Sequence, residues 1–371
     1  MNRSNQFVTT FVYFLMLIIF VAVRIFFLYV ELPINDNLKD VLSTIIVQGG
    51  VMFLMSVGLF SVIKKQKMKT TLKNFGYCKV GVKPIILSIL IGILCYFFNI
   101  FVASFFSTII SLCGFEKAPS FPYISSADYS IGSFILQVFT VAIIPAICEE
   151  TAHRGLLLHG LKGMGIKQAM ILSSLLFGLM HLNVNQFFYA TVLGFLIALS
   201  VVLSKSIIPA IIIHFMNNFL STYFAFASAN NWIFGNVTDY INNFLFSSGS
   251  IVMYFLMSIL TIGMIVLVLV FLYFLLLKET RIKQTQKMLI DVARINSEYP
   301  ETFYSGDKTM IDIYDLNRIM SQYNIKSLNS MIFTDIESKG RRLTLDERFA
   351  LISCIAVGAI VTFSTFIWGV I

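Results

Sequence analysis

Nine stretches of this sequence are apolar for long enough, or nearly so, to cross the hydrocarbon of a bilayer, and that feature restricts the chain to one class of fold. In hydrocarbon every backbone N–H and C=O must find a partner inside the protein, so runs of about twenty apolar residues cross as helices. The runs fall at 8–30, 41–63, 84–111, 131–158, 168–183, 186–204, 206–227, 250–277 and 349–371. The fifth is short, and the fourth carries charges in its second half. Composition excludes the soluble alternative: of 371 residues 57% are hydrophobic and 12% charged, too few charges to cover a water-soluble surface of that size. The expectation is an all-α, polytopic transmembrane helical bundle of about nine spans with a small cytosolic insert.

The lysines orient the spans. Segment 64–83 holds Lys64, Lys65, Lys67, Lys69, Lys73, Lys79 and Lys83 with no acidic residue, and the positive-inside rule places it in the cytosol. Alternation then puts 31–40, 113–129 and 228–249 outside, with Arg3, Lys162, Lys167 and Lys205 inside. The expected arrangement is a multi-pass plasma-membrane protein with its N-terminus cytosolic and its C-terminus external. The N-terminal run lacks a small-residue cleavage motif at a convincing spacing and is read as a retained span. Cys78, Cys95, Cys113, Cys148 and Cys354 are dispersed, never as C-x-x-C, and are read as small apolar residues.

Five segments follow from these runs. Residues 1–69 carry two spans and the start of the basic loop, 70–226 a core, 227–278 an external loop and the eighth span, 279–348 a polar cytosolic insert, and 349–371 the last span. The insert contains an amphipathic stretch at 310–320 and a capping-box signal, Thr344 followed by Glu347, ahead of the last span. It contains no nucleotide-binding or nucleic-acid motif, so lipids rather than nucleic acid are the expected surroundings. The lysine-rich loop is read as a topology determinant, with attraction to anionic headgroups as the alternative.

The polar residues that lie inside apolar runs carry the functional signal. All four histidines, His153, His159, His181 and His214, fall in the middle third of the chain, three of them beside other polar groups. Ionisable groups in such runs are costly in hydrocarbon unless paired or facing a wet cavity, so they propose a site. At a rise of about 1.5 Å per residue, Glu149 lies roughly 20 Å from Lys162, His181 roughly 21 Å from Lys167, and Asn218 roughly 20 Å from Lys205. Groups from three spans thus arrive at similar depth. At about 100° per residue, Glu150 and Arg154 share a face, as do Glu149 and His153. A Glu150–Arg154 ion pair would satisfy two charges and leave Glu149 to face the histidines. A carboxylate walled off from bulk solvent is suited to take a proton from water, with His181 orienting that water and His214 and Asn218 donating to the oxyanion that attack on a carbonyl creates. The same residue types also serve transport or proton relay, and a structural network uses them too. His159 reads as interfacial; His153 reads as either supporting or site-lining. No G-x-S-x-G and no H-E-x-x-H is present.

These residues resemble three motifs of the CAAX protease and bacteriocin-processing family of intramembrane endopeptidases, related to the type II CAAX prenyl proteases. The EExxxR motif reads Glu149, Glu150, Thr151, Ala152, His153, Arg154; FxxxH spans Phe177 to His181; HxxxN spans His214 to Asn218. Gly194 in the next span and Pro209 before the third motif also fit, and the likeness covers roughly residues 70–226. It implies that Glu149 activates water, that His181, His214 and Asn218 surround it, and that Glu150 and Arg154 support them. His153 departs from the pattern, which has an apolar or aromatic residue there more often.

The resulting expectation is an endopeptidase that hydrolyses a peptide bond of a hydrophobic or lipid-associated peptide near the cytosolic half of the membrane. A role in bacteriocin processing or self-immunity is one setting; a non-catalytic peptide transporter or immunity scaffold is the alternative. A metal-free glutamate mechanism is favoured, with zinc held by Glu149, His181 and His214 as the other option.

Overall fold

The helices of this chain are set by where its apolar runs begin and end. In the computed structural model, which describes residues 5–30, 33–115, 128–247, 249–298 and 343–370, they form an all-α bundle. The first span is α1 (Asn5–Tyr29). The second starts as α2 (Asp36–Thr44), where the side chain of Asn35 accepts a hydrogen bond from Leu38 N at 2.8 Å, and continues through a π-helical stretch (Ile45–Leu59) into α3 (Phe60–Lys64). A short α4 (Met68–Asn74) lies in the lysine-rich connection before the long α5 (Val82–Leu112).

The fourth span is composite. It runs from α6 (Ile131–Gln137) through a π-helical stretch (Val138–Ile143), α7 (Ile144–Glu150) and a second π-helical stretch (Thr151–Leu158) to α8 (His159–Leu161). Then come α9 (Ile166–Leu179), α10 (Val184–Ser204), α11 (Ile208–Asn230), α12 (Val237–Phe246), α13 (Ile251–Glu298) and α14 (Leu345–Val370). Among the described residues eight helices are long and apolar enough to span a membrane, and the fifth apolar run forms the shorter Ile166–Leu179. Its 14 residues cover about 21 Å, less than the hydrocarbon thickness.

Two details differ from the apolar runs. The 227–249 connection contains α12, and the eighth span does not stop at the start of the polar insert but continues as helix to Glu298. The capping box ahead of the last span is present: Thr344 N donates to Glu347 Oε2 at 2.9 Å, and Glu347 N to Thr344 Oγ1 at 3.4 Å. The amphipathic stretch 310–320 and Arg3 lie outside the described residues. Cys95, Cys148 and Cys354 are buried as the apolar reading requires, while Cys78 and Cys113 are exposed.

The turns sort to two ends of the bundle. At one end Ile207 N donates to Gly76 O (2.9 Å), Ser206 Oγ donates to Cys78 O (2.7 Å), and Lys83 pairs with Glu279 at 3.3 Å. Gly76 also sits against His159, where an added Cβ would lie 3.1 Å from the ring. At the other end Asn230 Nδ2 donates to Tyr129 O (3.0 Å) and Val184 N to Thr365 Oγ1 (3.1 Å). Close helix approach in the middle depends on Gly92, where a Cβ would fall 2.6 Å from Met216 Cβ and force α5 and α11 apart.

Candidate active site

Glu149 and Glu150 are consecutive on one helix, so their side chains diverge by about 100°. Glu150 turns into the bundle and is fully buried. There Arg154 Nη1 donates to its Oε1 at 3.3 Å, and Arg154 Nε stands 3.2 Å from Oε2, within ion-pair range but off the hydrogen-bond axis. Arg154, also fully buried, donates through Nη2 to Gly194 O at 2.7 Å and lies over the Phe177 ring at 4.6 Å. The ion pair expected from the i,i+4 spacing is therefore present, with Gly194 supplying the third contact. A Cβ on Gly194 would lie 3.1 Å from Phe177 and 3.3 Å from Arg154 Nη2, so that approach needs a residue without a side chain.

Glu149 turns the other way. Its side chain, 17% exposed, lines a cavity of about 560 Å³ together with Gln48, Asn99, His153, His181, His214, Asn217 and Asn218. Gln48 Nε2, from the π-helical part of the second span, donates to Glu149 Oε1 at 2.8 Å. The other carboxylate oxygen lies 3.9 Å from His214 Nε2. The helix is π-wound on both sides of α7, and such widened turns are frequent where a helix carries functional groups.

The histidines share one pattern. Each has its Nδ1 within hydrogen-bond distance of an oxygen that can only accept: His153 of Glu149 O (2.9 Å), His181 of Phe177 O (2.9 Å) and His214 of Glu150 Oε1 (2.8 Å). Nδ1 must then carry the proton, which leaves Nε2 as an acceptor in the neutral ring. His153 Nε2 is taken by the Tyr13 hydroxyl at 3.0 Å, so both nitrogens of that ring are used and it ties α1 to the fourth span. Phe177 meets the rings of His153, His181 and His214 edge to face, with centroids 5.1, 5.1 and 5.6 Å away. One aromatic side chain thus packs the three histidines and Arg154 together. His159 lies outside the cavity, its Nδ1 donating to Arg154 O at 2.6 Å.

Three expectations change. His214 cannot offer Nδ1–H to an oxyanion because Glu150 holds it; Nε2 becomes a donor only once the ring gains a proton. Asn218 is engaged as well, donating to Val141 O at 3.0 Å and accepting from Asn217 Nδ2 at 3.0 Å, which leaves one amide hydrogen. Asn99 extends that chain by donating to Asn217 Oδ1 at 3.1 Å. Finally, the cavity's lining includes none of the lysine-bearing turns. Arg24, Asp40, Ser43, Thr44 and Gln186 also line it, and they sit near the opposite end of their helices.

Gln48, Asn99, Asn217 and Tyr13 were not singled out by the sequence reading. Gln48 and Asn99 left the same signal as the histidines, a polar residue in an apolar run, but without an ionisable i,i+4 partner to draw attention. Gln48 and Tyr13 also come from outside the 70–226 segment. Among the described residues no group of three His, Cys, Asp or Glu side chains is arranged to hold a metal ion, so the Glu149, His181 and His214 zinc alternative has no assembled ligand set.

Residues 131–220, which contain all three motifs, match the family described as type II CAAX prenyl endopeptidase, Rce1-like. Over this segment the chain is similar to that family. The matched segment contains the buried Glu150–Arg154–His214 cluster and Phe177, while Gln48 and Tyr13 reach the cluster and cavity from spans beyond the match. No curated protein and no solved structure matches the chain.

Proposed function

We propose that this protein is an intramembrane endopeptidase that hydrolyses a peptide bond with a water molecule activated by Glu149. The observation that carries the reading is the unequal treatment of two adjacent carboxylates: Glu150 is neutralised by Arg154 and bonded to His214, whereas Glu149 is turned into a polar cavity and aimed by Gln48. A structural network would bury both.

In the proposed reaction a water between Glu149 Oε2 and His214 Nε2, which are 3.9 Å apart, loses a proton to Glu149. Its oxygen bonds to the substrate carbonyl carbon, and the charge that forms on the carbonyl oxygen is met by the remaining N–H of Asn218. As the C–N bond breaks, the proton on Glu149 passes to the leaving amine. Glu150 holds His214 in the tautomer that keeps Nε2 toward the cavity, and the buried Arg154 offsets the second carboxylate. The substrate is a hydrophobic or lipid-associated peptide, and maturation of such a peptide or protection from one is the setting this activity suits.

The test is Glu149→Gln in purified protein with a verified peptide substrate. Binding is expected to persist while turnover falls to background; retained wild-type turnover overturns the hydrolase reading and favours a peptide carrier. Metal content measured on the same preparations separates the two hydrolytic routes. The glutamate route expects no stoichiometric zinc and turnover that survives chelation, and zinc lost together with activity in His181→Ala and His214→Ala would replace it.

A further inference from the structure

The lining of the cavity around Glu149 stops short of the end of the bundle that carries the lysines. Below Glu149 the same helix presents Leu156, Leu157 and Leu158, all buried, and then His159, which is bonded to Arg154 O and packed against Gly76. Lys64, Lys65, Lys69, Lys73, Lys83, Lys162, Lys167 and Lys205 belong to the helix ends and turns on that side, which the contacts of Ile207 with Gly76 and of Lys83 with Glu279 draw together.

The lining extends instead toward the other end. Arg24 is in the last two turns of α1, Asp40, Ser43 and Thr44 are in the first turns of the second span, and Gln186 is in the first turn of α10. The short α9 explains why the site lies below that face: about 21 Å of helix ends at His181 before reaching the level of its longer neighbours. Along the fourth span Glu149 lies about three helical turns from Lys162 at the lysine end.

The charge bias assigns the lysine end to the cytosol, because short loops rich in Lys and Arg are retained there. We infer that substrates enter this site from the non-cytoplasmic face, so that the scissile bond belongs to a peptide segment that has already crossed the membrane or lies in its outer half. This substrate class rests on the hydrolase reading; the route of entry does not. It excludes a C-terminus presented from the cytosol.

Two native cysteines provide references for each side. Cys78 is exposed in the lysine-bearing turn, and Cys113 is exposed at the far end of α5. In intact cells a membrane-impermeant thiol reagent is expected to modify Cys113 at once and Cys78 only after permeabilisation; the reverse pattern overturns the assignment of faces. Thr44→Cys and Ser43→Cys, each made with Cys78→Ser and Cys113→Ser, then report on the cavity. Modification of either one in intact cells supports the inference. Modification only after permeabilisation, or none in either variant under both conditions, overturns it. Labelling needs no turnover, so a protein that labels as expected but cleaves nothing loses the hydrolase reading and keeps the route of entry.

Discussion

Glu149 and Glu150 are the same amino acid one residue apart, and what surrounds each decides what it does. Glu150, Arg154 and His214 form a cluster with little or no exposure, in which each member answers the charge or hydrogen-bonding need of another. Arg154→Ala strands Glu150 without its main counter-charge, and breaking a buried pair from one side costs about 3–5 kcal/mol. A lower unfolding temperature in detergent and loss of activity are expected, with part of the stability recovered when Glu150→Gln removes the stranded charge. Unchanged unfolding of the single variant would show that the pair does not stabilise the fold. Gln48 acts differently, because its hydrogen bond reaches a carboxylate that lines the cavity. Gln48→Leu removes a bond to a charged group, worth about 1.5–3 kcal/mol, and is expected to lower kcat by roughly 10–100-fold with little change in unfolding temperature. A kcat equal to wild type would remove Gln48 from the site. The motif residues were legible because charge and imidazole are out of place in apolar runs. Tyr13 was not, since an aromatic residue is ordinary in a span, and Phe177 stood out only as part of a motif: the folded arrangement reveals that it touches three histidines.

At the scale of the elements, α9 is the unusual piece. A helix too short to cross must end inside the bundle, where the backbone groups of its last turn need partners from the protein. Residue Leu182 turns the chain with φ 51°, and α14 supplies those partners: Thr362 Oγ1 donates to Leu179 O at 3.1 Å, and Thr365 Oγ1 accepts from Val184 N at 3.1 Å. The close approach that allows this is at Gly358, where a Cβ would lie 2.9 Å from Leu179 Cβ. The last span therefore fixes the turn that carries His181. The apolar runs gave the existence of α9 and α14 and the short length of α9, but the pairing of Thr362 with Leu179 spans 183 residues and leaves no local pattern. Thr362→Val with Thr365→Val keeps the shape and deletes both hydrogen bonds. Interhelical bonds of this kind contribute about 0.6–2 kcal/mol each, so the double variant is expected to remain folded with a lower unfolding temperature and a kcat reduced about tenfold through displacement of His181. An unfolding temperature and kcat that match wild type would show that other contacts hold the turn.

Taken as a whole molecule, the cavity draws its walls from α1, the second span, α5, the fourth span, α9, α10 and α11, while the matched family segment covers residues 131–220 alone. Phe20 and Arg24 from α1, Gln48 from the second span and Asn99 from α5 lie outside that segment. The motifs mark the polar cluster, and the spans around them complete the cavity it lines. The division of the chain also places α14 beyond the long polar insert, although α14 holds the turn at the end of α9. A chain ending at residue 298 keeps every motif residue and every cavity wall yet leaves Val184 N without its α14 partner and Leu179 O with Leu182 N alone. A backbone group stranded in hydrocarbon costs several kcal/mol, so that chain is expected to reach the membrane but to lose cleavage. Helices that are stable on their own in a bilayer associate by packing and hydrogen bonding, so residues 343–371 supplied as a separate polypeptide are expected to restore cleavage. Restoration that depends on Thr362 and Thr365 would tie the effect to the turn rather than to the insert. Full activity of the chain ending at 298, with no second polypeptide, would show that the site stands without α14.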